Sequence, residues 1–364
     1  MSQAWHGGQL ERAAETYGIS PDRFLDFSTN THSFAPPIPE DLWARWRTEA
    51  GRYPEPAAEA VRARLAEVFG VPDVCLLPTA GGIEALYLAA RLFPGKSVAV
   101  PVPAFSDYER ALIAAGARVQ TVPFFPAEGR LPLAELAERT RDFDVVFFGN
   151  PNNPTGTFYA RDEMLEVIGR ARAQSWVVDE AFVDFAGGGQ NESLRSVLSE
   201  CPNLIVAGSL TKFWSVPGLR IGFLATANRS WRGALAAMQP PWSVGAAAAA
   251  WVRDCVTPHA YRQLLESVPA IDSLRRELSA ALHAETHARP CPSDTNFLLI
   301  DLSGSGLRSG EVTDRLGRQG VLVRNADSFQ GLETGRFLRI AVRQAGDNAV
   351  LLAFFKRLDR SFSP

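Results

Sequence analysis

The chain has 364 residues, 46% of them hydrophobic, more than one ordinary core buries, so a large domain joined to a smaller one is expected. Its 37 basic and 40 acidic residues leave a formal net charge of −3, which points away from nucleic acid and from anionic membrane as partners. There is no apolar run of the roughly 20 residues that span a membrane, no secretory-signal pattern at the start, and no metal or disulfide spacing among Cys75, Cys201, Cys255 and Cys291; a cytoplasmic protein with reduced thiols is expected.

The first 45 residues are rich in Pro, Trp and polar side chains and read as an arm packing with the small domain. Residues 46–240 are expected to form the large domain. There, short apolar runs alternate with amphipathic segments. VCLLP (74–78) precedes GIEALYLAARLF, SVAVPVP (97–103) precedes DYERALIAAG, and ARVQTVPF precedes LAELAERT. DVVFFGNP (144–151) leads into DEMLEVIGRARA and then SWVVDEAF (175–182); NLIVAGS (203–209) and RIGFLAT (220–226) close the series. Strands apolar throughout, separated by helices of roughly 10–15 residues, predict an α/β domain with a mostly parallel central sheet covered by helices.

The pattern changes after Pro240–Pro241. WSVGAAAAAWVRD and the long YRQLLESVPAIDSLRRELSAALHA read as helices. NFLLIDL, VLVRNA and RFLRIAVR read as strands, and DNAVLLAFFKRLDR as a closing helix. Residues 241–364 are therefore expected to form a smaller α+β domain.

Only three lysines occur among the basic residues: Lys96, Lys212 and Lys356. Lys96 lies in LFPGKS, which lacks the first glycine of a P-loop (Ala90 stands there) and reads as a solvated loop. Lys212 lies in GSLTKFWSVPGLRIG (208–222), among apolar neighbours. An apolar setting favours a neutral amine, which a nucleophile or proton shuttle needs and which arginine never supplies. Taken alone, a lysine reaching out of an apolar patch is the simpler reading. Four further features change that. Asp179, in VVDEAF, ends a parallel strand, at the edge where such sheets bind ligands. NPNNPTG (150–156) follows another strand and presents amides at the same edge. TAGGIEAL (79–86) is a strand–Gly-Gly–helix junction suited to an anion. Ser209, Thr211 and Arg220 add hydroxyls and a guanidinium to such an anion site. A lysine, a carboxylate, an amide and a phosphate cradle together suit one cofactor, pyridoxal 5′-phosphate (PLP).

The combined pattern resembles the class I/II aminotransferase family, the aspartate-aminotransferase-like fold type I of PLP enzymes, over nearly the whole chain. S-x-T-K-x-x-x-x-P-G-L-R-I-G is similar to that family's Schiff-base segment. The resemblance implies that Lys212 carries the cofactor and that Asp179 pairs with its ring nitrogen. It implies that Asn153 bonds the ring hydroxyl and that Phe105, in PVPAFSDY, stacks on the ring. Gly81, Gly82, Ser209, Thr211 and Arg220 would hold the phosphate. Tyr53, in GRYPEP, would reach the phosphate of a neighbouring subunit, which implies a homodimer with shared active sites.

Within the family, histidinol-phosphate aminotransferases share RYP-x-P and the lysine motif, but carry Tyr where this chain has Phe182. Threonine-phosphate decarboxylases of cobalamin biosynthesis look closer. Their H-G-G, D-F-S-x-N, D-E-A-F, P-W-S-V, V-R and R-x-A-V-R recur here in order, at WHGG (5–8), DFSTN (26–30), 179–182, 241–244, Val323–Arg324 and Arg339–Arg343. The chain departs from that branch at THSFAPP after Asn30 and at Gly245. The resemblance implies decarboxylation of L-threonine O-3-phosphate to (R)-1-amino-2-propanol phosphate, with histidinol-phosphate aminotransferase chemistry as the alternative. Arg339 is then the candidate for the substrate carboxylate. Arg324 and His6, with Asn30 nearby, are candidates for the substrate phosphate. Arg343, expected on the strand of Arg339, is either a second phosphate ligand or a surface ion-pair partner. Glu180 and Asp184 read as structural.

Overall fold

A computed structural model describes residues 6–126, 130–171, 174–187 and 189–360. Trp5 of the WHGG motif lies outside the described residues.

The apolar runs form a seven-stranded sheet. Its spatial order is Leu76–Thr79, Gly222–Ala225, Leu204–Ser209, Ser175–Asp179, Val145–Gly149, Ser97–Val102, Arg118–Pro123. Only Gly222–Ala225 runs against its neighbours; the other contacts between adjacent strands are parallel. The interior strand Val145–Gly149 is buried along its whole length, which explains why it shows no polar alternation. Helices Gly81–Ala90, Asp107–Ala114 and Arg161–Arg170 fall in the expected connections. The C-terminal ends of Ser175–Asp179 and Leu204–Ser209 lie side by side, with Asp179 opposite Ala207. That edge carries the site.

The second sheet is antiparallel, in the order Arg324–Asn325, Phe337–Ala341, Phe297–Asp301, Arg289–Pro290. Two segments differ from expectation. The single long helix is two, Pro258–Glu266 and Val268–Glu285. Pro269 stands in the first turn of the second, where its missing N–H has no helical partner to lose. VLVRNA is also divided. Val321–Leu322 pairs in parallel with Leu25–Asp26 of the N-terminal segment, whereas Arg324–Asn325 pairs with Phe337–Ala341. The DFSTN segment is thus stitched to the second sheet by backbone hydrogen bonds.

Among the described residues, the helices Leu10–Tyr17, Glu40–Glu49, Glu59–Phe69, Arg229–Met238 and Ser309–Gly317 are not named as helices in the sequence reading. Glu40–Glu49 runs through position 45 and is tied to Ala246–Cys255, where Trp46 Nε1 donates to Asp254 Oδ2 at 2.9 Å. No helix among the described residues is long and apolar enough to cross a membrane.

Candidate active site

A cavity of about 350 Å³ opens at the sheet edge, and Lys212 lies in its wall. Lys212 sits in the one-turn helix Leu210–Phe213, directly after the strand that ends at Ser209. Burial draws its amine down to about 8, and the nearby Arg339 and Arg220 act in the same direction. Asp179 closes the adjacent strand. Its Oδ2 accepts from the Tyr108 hydroxyl at 2.7 Å and its Oδ1 from the Ala181 N–H at 2.9 Å. Burial pushes this carboxyl up; those two hydrogen bonds pull against it.

Asn153 follows the strand Val145–Gly149, and its Oδ1 accepts from Arg339 Nη1 at 2.7 Å. Its amide NH₂ stays available as a donor to the cavity that Asn153 lines. Ser209 Oγ and Thr211 Oγ1 stand 2.8 Å apart beside Gly82. The glycines of this corner are required by close approach. Gly81 has φ +81°, and a Cβ there would meet Arg220 Nη2 at 2.5 Å. At Gly222 a Cβ would meet the Gly81 carbonyl carbon at 2.6 Å. The corner is therefore a bare helix N-terminus flanked by two hydroxyls and a guanidinium, the donor set of a phosphate site. The helix that begins there is fixed by Glu84, which accepts from the Ala80 N–H at 2.6 Å and from Ser243 Oγ, of PWSV, at 2.8 Å.

The other side of the cavity comes from the N-terminal segment and the second sheet. Arg324 and Arg339 are paired across two antiparallel strands, which sets their guanidinium groups next to each other. Both are buried, at 5% and 7% exposure. Arg339 Nη2 donates to the Ser28 carbonyl at 2.9 Å, and its Nε has no hydrogen-bond partner. Arg324 Nη2 donates to Ser328 Oγ at 2.6 Å. Neither arginine has a carboxylate in ion-pair distance among the described residues. Burial lowers both from the ordinary guanidinium value, yet a guanidinium keeps its proton at neutral pH, so two charges lie buried in this wall. Phe329 lies under both, 5.4 Å and 5.8 Å from their central carbons. Asn30 is 1% exposed and both of its side-chain polar atoms lack partners. His6 reaches the same wall, with Nε2 3.3 Å from Asp107.

The structure thus gathers Lys212, Asp179, Asn153, Phe105, Gly82, Ser209, Thr211, Arg220, Arg339, Arg324, His6 and Asn30 around one cavity, with Gly81 just behind Arg220. Tyr53 stays apart from it: it is 85% exposed and packs against Trp242 at 5.1 Å. Arg343 is also outside. It lies beyond the strand that carries Arg339, and its Nε pairs with Asp347 Oδ2 at 2.8 Å. Of the two roles open to it, ion pairing is the one it has. Glu180 and Asp184 both flank the buried Arg195. Sequence reasoning missed Tyr108, Asp107, Ser28 and Phe329. The first two lie within the PVPAFSDY stretch that yielded Phe105, but neither contact can be seen from local sequence.

Residues 28–358 match the family model "Aminotransferase class I and II". The chain belongs to this family. It is a PLP-dependent enzyme of fold type I, and the donor set of the corner described above fits the cofactor's phosphate, with Asp179 and Lys212 lining the same cavity. The chain is 29% identical to threonine-phosphate decarboxylase of Salmonella typhimurium, over 99% of this chain and 98% of that one. It is 32% identical to a histidinol-phosphate aminotransferase of Mycobacterium tuberculosis, over 88% of this chain and 84% of the other. The histidinol-phosphate aminotransferase of Sinorhizobium meliloti, solved in complex with pyridoxal-5′-phosphate, superposes with a TM-score of 0.80 at 21% identity, covering 100% of this chain and 96% of that one.

Proposed function

We propose that this enzyme decarboxylates L-threonine O-3-phosphate to (R)-1-amino-2-propanol phosphate. The observation that carries the reading is the cross-strand pair Arg324 and Arg339, two buried guanidinium groups in one cavity with no carboxylate in ion-pair distance among the described residues. Such a wall suits a small substrate with two anionic groups. Arg339, braced by Asn153 and Ser28, takes the carboxylate; Arg324, with His6 and Asn30, takes the phosphate. Bound PLP supplies an electron sink for the pair of electrons released at the substrate's Cα.

The chain's own residues do the rest. Asp179 offers a carboxylate, oriented by Tyr108, to the ring nitrogen. The Lys212 amine, drawn down to about 8, exchanges a proton near neutral pH and returns one to Cα after CO₂ leaves. The recurrence of DFSTN, PWSV and Arg339–Arg343, with coverage of nearly the whole Salmonella decarboxylase, supports this branch. Tyr53, exposed beside Trp242, is assigned to the neighbouring subunit's site in a homodimer.

The second reading is amino transfer from histidinol phosphate to 2-oxoglutarate, whose two carboxylates suit the same pair of arginines; the mycobacterial relative favours it. The test uses PLP-loaded enzyme. With threonine phosphate, release of CO₂ and an amino alcohol phosphate is expected. Formation of glutamate from histidinol phosphate and 2-oxoglutarate, with no CO₂ from threonine phosphate, would replace the first reading by the second.

A further inference from the structure

An anion-binding wall should exclude carboxylates, yet Asp107 is in it. This residue is 3% exposed and begins the helix Asp107–Ala114. Its Oδ1 accepts from Arg110 Nη1 at 3.1 Å. Its Oδ2 has no hydrogen bond and lies 3.3 Å from Nε2 of the His6 ring. A carboxylate so enclosed repels an incoming phosphate unless its charge is used by something else. His6 belongs to the N-terminal segment, is 47% exposed in its side chain, and has Phe105 as its ring neighbour, 6.0 Å away and tilted. Among the described residues its ion-pair partner is Asp107.

We propose that Asp107 is the positioning residue of the substrate-phosphate site: its Oδ2 anchors the His6 imidazole, and with it the N-terminal segment, so that His6 and Arg324 close on the phosphate together. The inference rests on the reading in which His6 and Arg324 receive that phosphate. Charge balance supports it. Asp107 offsets Arg110, which leaves Arg324 as one net positive charge at the wall. A protonated His6 supplies the second, matching a phosphate dianion. The groups facing His6 are Asp107, which favours the charged ring, and Arg324, Arg110 and Lys212, which oppose it along with burial. An arriving dianion reverses that balance, so substrate binding takes up a proton on His6. The next residue, Tyr108, holds Asp179, so one helical turn sets both the cofactor floor and the substrate arm.

The test compares PLP-loaded wild type, Asp107→Asn, Asp107→Glu, His6→Gln and the double variant Asp107→Asn/His6→Gln. The readouts are kcat and KM for threonine phosphate, and inhibition by inorganic phosphate. Asp107→Asn is expected to raise KM and the phosphate inhibition constant about tenfold, with kcat within about twofold. In the His6→Gln background the same change should alter KM less than about twofold, because the partner is already gone. Asp107→Glu should recover most of the loss. KM should rise with pH as His6 loses its proton, and in Asp107→Asn that rise should begin at lower pH. A fall in KM for Asp107→Asn would overturn the inference, since Asp107 would then only repel phosphate. So would an equal effect with and without His6, or a lower kcat with altered cofactor absorbance, the mark of a disturbed Tyr108–Asp179 pair. Wild type that releases no CO₂ from threonine phosphate and is not inhibited by phosphate overturns the functional reading, and this inference with it.

Discussion

The cavity has two halves that differ in kind. The half formed by the large sheet carries Lys212, Asp179, Asn153, Ser209 and Thr211, close in sequence to strand ends and held by short hydrogen bonds. The half formed by the N-terminal segment and the second sheet carries His6, Asn30, Arg324 and Arg339, and Asp107 reaches it from the helix Asp107–Ala114 of the large domain. Among the buried atoms without a hydrogen-bond partner are both polar atoms of Asn30, Oδ2 of Asp107 and Nε of Arg339, all in the cavity wall. Buried polar atoms left unpaired are costly in a folded protein, and in the proposed reading the substrate supplies partners to those in this wall. In the proposed reading the first half holds the cofactor and the second receives the substrate.

The difference can be broken most severely at Lys212. Lys212→Arg keeps the charge but removes an amine that can be neutral, and a loss of at least about 10³-fold in kcat is expected, measured by CO₂ release. Near-normal turnover would show that charge alone was required.

The seam between the halves is next. The His32 N–H donates to the Lys212 carbonyl at 3.0 Å, and its ring bonds Ser267 Oγ at 3.0 Å and accepts from the Phe34 N–H at 3.1 Å. Burial among Phe185 and Phe213 lowers this imidazole from 6.5 to about 4. An unfolded chain protonates it near 6.5, the folded one only near 4. Its contribution to stability is therefore complete above pH 6.5 and falls by about 1.4 kcal/mol per pH unit toward pH 4. Denaturant unfolding of His32→Gln should show a flatter loss across that window; an unchanged slope would remove His32 as the cause.

On the substrate side, Arg339→Lys keeps a cation but loses the fork that spans Asn153 and Ser28. KM for threonine phosphate should rise about 10- to 100-fold with a smaller change in kcat. On the cofactor side, Tyr108→Phe removes one hydrogen bond to Asp179 and should lower kcat about tenfold with KM nearly unchanged. An effect of either variant on the wrong parameter would blur the division into halves. The smallest effect is expected at Phe182, which lines the cavity and packs edge-on against Phe297 at 5.0 Å. Phe182→Tyr offers a hydroxyl to the cofactor's ring oxygen and should lower the pH midpoint of cofactor absorbance by about one unit.

The amino-acid sequence by itself determined the alternating sheet, the strand-end motifs and the cofactor half. Those features depend on periodicity and on residues a few positions apart: Lys212 three residues beyond Ser209, and Asp179 at the end of an apolar run. Tertiary structure decided what joins distant segments. Tyr108 meets Asp179 across 71 positions, Arg339 meets Asn153 across 186, and Arg339 meets Ser28 across 311. It also divided VLVRNA between two partners, ended the expected long helix ahead of Pro269, and turned Arg343 to Asp347. A hydrogen bond constrains atoms in space and leaves no periodic trace along the chain. The proposed cofactor half was thus legible from local motifs; His6, Asn30, Arg324 and Arg339 were named through the family resemblance alone, and only the folded chain showed how they meet.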